Sequence, residues 1–320
     1  MSVSENAGGS RGVGLAPQER EFYAAQSTVS DPGELAGWYA ELPRDAGQLA
    51  RTVRDLLIHR MEGGFSDAPI PEERMRDDAE TRYVDDILRL VTARDGRPLG
   101  CRRDFGDRFV GICRDFTLLH VSMLRHLGVP ARMRSGFADY FDATGFHWDH
   151  VVTEFWDEER GAWRLADPQL ADPERYPVDF DPADVPRDRF LVAGEAWHRI
   201  RAGQADPASF GLNLPEAPMI GAWFVAGNVR LDLAFLNKVE TLLWDVWGAG
   251  AFDAGDAGAD GDAKLTDEVR GLYDRAAAIV AGDVPFAAAR AMFAEEDGLR
   301  TPRTVLSLAP LAGPRHVTLR

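Results

Sequence analysis

Cysteine is nearly absent from this chain. Its 320 residues include two, Cys101 and Cys113, too few for a disulfide framework. Basic charge is also short: the formal net charge is −16 and the sequence pI about 4.9. A phosphate-binding face needs clustered Lys and Arg, so neither nucleic acid nor an anionic membrane is expected as a partner. No apolar run approaches the ~18 residues of a membrane-spanning helix. Residues Met1 to Ser10 lack the basic-then-apolar pattern of a secretory signal, and a cytoplasmic protein is the expectation. No pair of histidines has ligand spacing beside Cys or a carboxylate, which argues against zinc. No internal repeat is apparent. What remains is enough chain, at 45% hydrophobic content, to bury a sizeable core.

The chemistry concentrates between Gly111 and Asp167. From Arg114 to Leu127 the apolar residues Phe116, Leu119, Val121, Met123, Leu124 and Leu127 recur at three- and four-residue spacing, before Gly128 and Pro130. That predicts a mostly buried helix with Cys113 at its first turn. Free N–H groups and the helix dipole there are expected to lower the thiol pKa and to face an oxyanion. Residues 131–141 and 151–156 read as strands, and 162–166 as a third after the polar turn at residues 157–161. Antiparallel packing of these strands brings Asp167 alongside His150, with the helix crossing the sheet and presenting Cys113. Cys113, His150 and Asp167 are the residue types of thiol-based acyl transfer: nucleophile, base, and a carboxylate that orients the base.

Gly-x-Cys, a helix ending Leu-Arg-His-Leu-Gly-Val-Pro-Ala-Arg, then Ser-Gly-Phe, together resemble the core of the transglutaminase-like superfamily. Glu154 four residues after His150, and an Asp-Pro pair after a Trp-containing strand, extend the pattern over residues 100–170. The resemblance implies an α+β, papain-like core: a Cys-bearing helix on an antiparallel sheet bearing His and Asp, with helical N- and C-terminal extensions. It implies a thioester acyl-enzyme and no metal or organic cofactor, with Cys113 as nucleophile, His150 as base and later acid, and Asp167 as the orienting carboxylate. Val152 departs from the pattern, standing where relatives often carry an aromatic that shapes the acyl pocket.

Other candidates weigh less. His147 competes with His150, but Glu154 and the strand pattern fall into register with His150. His120 lies two turns along the helix from Cys113 and reads as a buried structural residue. His59, His126, His198 and His316 look incidental, and Cys101 reads as an inert thiol in a connecting loop. Trp148 and Asp149 stand where they could line a substrate mouth or simply pack. The acids from Asp172 to Asp188 are interspersed with prolines and lack ordered calcium-ligand spacing.

The organisation expected is a disordered segment over residues 1–16, a helical part over 17–99, the core over 100–175, and a mainly helical part over 176–320 packed on it. Within the last, helices are expected at 189–201, at 220–236 and shortly after, at 265–281 and at 285–295, with a flexible loop at 248–263. Trp223, Trp244, Trp247, Asn228, Asp232, Asn237 and Glu240 suggest a pocket wall or a second core. The functional expectation is a cysteine-dependent acyl-transfer enzyme, forming amides or hydrolysing them, on a small-molecule, peptide or carrier-bound acyl substrate. The alternative is a non-catalytic binding module that retains the fold.

Overall fold

The computed structural model describes residues 14–62, 70–215, 218–252 and 261–320. The expected disorder over 1–16 therefore falls almost wholly outside the described residues, as does half of the loop expected at 248–263.

In chain order the helices are α1 (Pro17–Ala24), α2 (Ala46–Leu56), α3 (Glu72–Ala79), α4 (Val84–Arg94), α5 (Cys113–His126), α6 (Ala193–Arg201), α7 (Ala222–Leu236), α8 (Asp267–Val280) and α9 (Phe286–Glu295). The strands are β1 (Leu57–His59), β2 (Phe109–Gly111), β3 (Ala131–Ala138), β4 (His147–Asp157), β5 (Ala162–Ala166), β6 (Phe190–Val192), β7 (Phe210–Leu212), β8 (Met219–Ile220), β9 (Asp245–Val246), β10 (Thr304–Ser307) and β11 (Arg315–Thr318). The expected α+β core is present. Helix α5 packs on an antiparallel β3–β4–β5 unit in which Gly136 pairs with His150 and Thr153 with Ala166.

Alternation along β4 divides its side chains between two layers. Val151 and Phe155 join the cluster containing Phe116, Leu119 and Met123 of α5. Val152 instead joins Ala138, Leu165 and Phe190 on the other side. Glu154 shares that second face and is buried, bonded to Arg132 (2.7 Å), Arg134 (3.0 Å) and Arg187 (2.8 Å). Burial alone would raise its pKa, but the three guanidinium groups outweigh burial and hold the carboxyl far below the usual range. Arg134 also grips Asp232 of α7 (2.9 Å), fastening that helix to the sheet.

The region after residue 175 differs from the mainly helical expectation, because it also contributes strands to the core sheet. The sheet order is β6-β3-β4-β7-β8, and β5 also pairs with β4. Phe190 to Val192 is an extended strand on the edge of β3, and the helix expected from 189 begins only at Ala193. The short helix expected directly after α7 does not form. Residues 237–247 run instead as irregular chain into β9, and the last residues form the β10–β11 hairpin. Gly136 makes the β3–β6 approach possible, since a Cβ there would collide with the Leu191 carbonyl oxygen. Within the part expected to be helical, 17–99, α2 stops at Leu56, and residues 57–59 pair in parallel with 109–111 as a strand. No described helix is long and apolar enough to cross a membrane.

Candidate active site

The local chain around Cys113 is set by its neighbours. Asp115 turns its carboxylate back to accept the Ile112 N–H at 2.9 Å, starting α5 one residue later at Cys113. Gly111 leaves room for this, since a Cβ there would meet the Asp115 carboxylate at 3.0 Å. The β1–β2 pair sets His59 beside Gly111.

On the sheet side, His150 Nε2 lies 2.7 Å from Asp167 Oδ2. Asp167 accepts two further hydrogen bonds, from Tyr140 Oη–H at 2.8 Å and from the Gln169 N–H at 3.0 Å. A carboxylate that only accepts requires the proton on Nε2 of His150, leaving Nδ1 as the basic nitrogen. Tyr140 and Phe141 stand edge-on to the imidazole, with ring centroids 6.0 and 4.9 Å away. Cys113, His150 and Asp167 are all buried. The Cys113 sulfur faces the N–H of Val151, the residue after His150.

The expected fall in the thiol pKa does not occur. Burial pushes the Cys113 thiol well above its ordinary value, and the charges of Asp149 and Asp167 add to it against the Val151 N–H. Asp149 itself is raised to about 7 by burial, opposed by His150 and the Asn228 amide.

Cys113 and His150 line one cavity of about 1420 Å³. Its wall combines the core with the C-terminal part: Phe141 and Trp148 from one side, Trp223, Phe224, Leu231 and Trp244 from the other. Arg114 holds that second wall. Its buried guanidinium donates to the carbonyls of Arg82 (2.7 Å), Thr241 (3.2 Å) and Glu240. Arg82 in turn grips Asp245 (2.7 Å), so the chain at 240–245 is fastened beside the α5 start.

Of the polar residues expected in a pocket wall, Asn228 lines the cavity. Asp232, Asn237 and Glu240 are engaged instead by Arg134, Arg290 and Arg125 respectively. Trp247 is not in the cavity wall; its indole N–H bonds the Leu299 carbonyl at 3.2 Å. Val152 lies in the opposite layer, so the wall is shaped by residues distant in sequence.

His147 stacks on Phe210 at 4.6 Å, away from the Asp167 carboxylate. His120 is buried between Thr153 Oγ1 and the Ala46 carbonyl, both at 3.0 Å, and burial lowers it to about 4, so it is neutral. His59, incidental by sequence pattern, lines the cavity, and burial lowers it also to about 4. Trp148 and Asp149, candidates for a substrate mouth in the sequence, both line the cavity. Tyr140 is a further site residue that pattern does not assign, since its partner Asp167 lies across the fold. Among the described residues, no group of three or more His, Cys, Asp or Glu could hold a metal ion.

Residues 101–168 match the family model of the transglutaminase-like superfamily. No curated protein is matched by this sequence. Among solved structures, a candidate cysteine protease from Cytophaga hutchinsonii is similar, with 14% identity and a TM-score of 0.31. The match covers 51% of this chain and 45% of that one, so the chain spans less than half the length of that structure.

Proposed function

Residues 101–168 form a transglutaminase-like core, and from that premise we propose that the chain is a cysteine-dependent acyl-transfer enzyme working through a thioester. The observation that carries this reading is the 2.7 Å contact of His150 Nε2 with Asp167, beside a cavity that Cys113 also lines. In the first step the Cys113 thiol gives its proton to His150 Nδ1 as the sulfur attacks the carbonyl carbon of an amide or thioester. First-turn N–H groups of α5 face the developing oxyanion. The C–N or C–S bond breaks, and His150 returns the proton to the leaving group. Water or an amine then attacks the thioester, gives its proton to His150, and the thiol is restored. Asp167 holds the imidazole in the tautomer both steps need. The apolar wall suits an acyl group with an apolar body.

The test uses a short panel of N-acetylcysteamine thioesters with apolar acyl groups. Thiol release is followed colorimetrically, and acid-quenched protein is weighed intact. Wild type is expected to release thiol or to carry the acyl mass. Cys113→Ala should do neither, and Asp167→Asn should be slower by on the order of 10³-fold or more. Release that is unchanged in both variants sinks the proposal and leaves a binding module.

A further inference from the structure

Asp149 is a carboxyl group that the thioester mechanism does not use. Its Oδ1 is buried, and no described residue donates a hydrogen bond to it. The Asn228 amide faces the same carboxyl. The Asn228 Oδ1 accepts the Ser135 hydroxyl at 2.5 Å, which fixes the amide so that its nitrogen points away from Ser135. The surrounding cavity wall is mainly aromatic and aliphatic, including Trp148, Phe224 and Leu231. A buried acceptor left unmatched in such a wall costs free energy until a donor arrives.

Position says where that donor must be. Asp149 and Val151 are two residues apart on β4 and so share a face, roughly 7 Å apart along the strand. The Val151 N–H faces the Cys113 sulfur. Asp149 lines the same cavity as Cys113 and lies near enough for its charge to act on the thiol, so the α- or β-substituent of a carbonyl carbon bonded to that sulfur shares the cavity with Asp149. Resting on the thioester reading of Cys113, we infer that Asp149 is a specificity-determining residue that binds the ammonium group of an aminoacyl donor, with the donor's apolar side chain in the aromatic cavity. The amine takes no part in bond making. It fills the acceptor left open at Oδ1 and sets the carbonyl against the sulfur, while a donor with no N–H at that place leaves that oxygen unmatched. Burial that raises the empty Asp149 to about 7 is offset when a cation docks against it.

The test compares two alkylating probes with the same benzyl side chain: phenylalanine chloromethyl ketone, with a free amino group, and its desamino analogue. In both, sulfur displaces chloride and the thiol proton is lost, and the adduct is located by intact mass and peptide mapping. Rates are divided by those with glutathione, which removes the difference in intrinsic reactivity. Wild type is expected to prefer the amino probe at Cys113 by roughly tenfold or more beyond glutathione. Asp149→Asn, its fold checked by circular dichroism, should lose that preference. The ratio is read rather than the absolute rate, so a general loss of reactivity does not register. A wild-type ratio equal to that of glutathione overturns the inference even if the variant does not fold. So does a preference retained in Asp149→Asn. If neither probe alkylates Cys113, the thiol-enzyme reading itself fails, a distinct result.

Discussion

At Cys113 two effects on one thiol oppose each other. The first turn of a helix favours a negative charge by about 0.3–1 kcal/mol, and up to about 2 when partly buried. Removing a charge from water costs several kcal/mol, and Asp149 and Asp167 add like charge nearby. Burial wins, so the resting group is the thiol, and in the proposed mechanism its proton leaves only as His150 takes it. Because the pKa is raised, the thiolate fraction grows about tenfold per pH unit up to that pKa. Alkylation of Cys113 by iodoacetamide is therefore expected to climb throughout about pH 6 to 9, read by intact mass against Cys113→Ala. A rate that levels off below about pH 8 would mean a preformed thiolate and would sink this account. Cys113, His150 and Asp167 were legible as candidates from their residue types and places: Cys113 opens α5, His150 lies near the start of β4 and Asp167 follows β5. The places of Tyr140 and His59 beside them were not, because their partners lie across the fold.

Elements followed local pattern where periodicity and punctuation agreed. α5 ends before Gly128 and Pro130, and α8 starts at its own cap, Thr266, whose hydroxyl accepts the Val269 N–H at 3.3 Å. Pattern failed where neighbours decided. Phe190 to Val192 is apolar and continuous with α6, but the open edge of β3 pairs it as a strand. Residues 237–247 look helical, yet α7 stops at Leu236, Lys238 takes a φ of 62°, and the next residues answer to Arg114 and Arg82. The β3–β6 contact gives a direct test. Gly136→Ala places a methyl against the Leu191 carbonyl and the Val192 Cα, and neither backbone atom can swing aside. A loss of about 1–3 kcal/mol is expected in urea unfolding. Gly106→Ala, with no atom within 4 Å, is the control and should stay within about 0.5 kcal/mol. Equal effects at the two sites would discount the strand contact.

Across the molecule, the boundary at residue 175 does not separate independent units. β6 and β7 complete the sheet, and α7 lies on β3. Buried ion pairs cross the boundary, among them Arg134 with Asp232 and Arg125 with Glu240, both at 2.9 Å, and Arg82 with Asp245 at 2.7 Å. Arg134 keeps Glu154 and Arg82 keeps Glu80, but Arg125 loses its carboxylate partner, and an ion-pair partner removed costs about 3–5 kcal/mol, against a total stability of about 5–15 kcal/mol for a typical domain. A chain ending at residue 175 is expected to lose cooperative thermal unfolding, followed by far-ultraviolet circular dichroism. A sharp melt close to that of the full chain would show that the core stands alone. The Cys-bearing helix, the strands that carry His150 and end at Asp167, and their order are all written in local pattern, because periodicity and turn residues act within a few positions. The protonated state of Cys113, the strands added from beyond residue 175, and the aromatic wall of its cavity arise only on folding. Those depend on desolvation, edge pairing and buried charge between residues far apart in the chain, which no local pattern encodes.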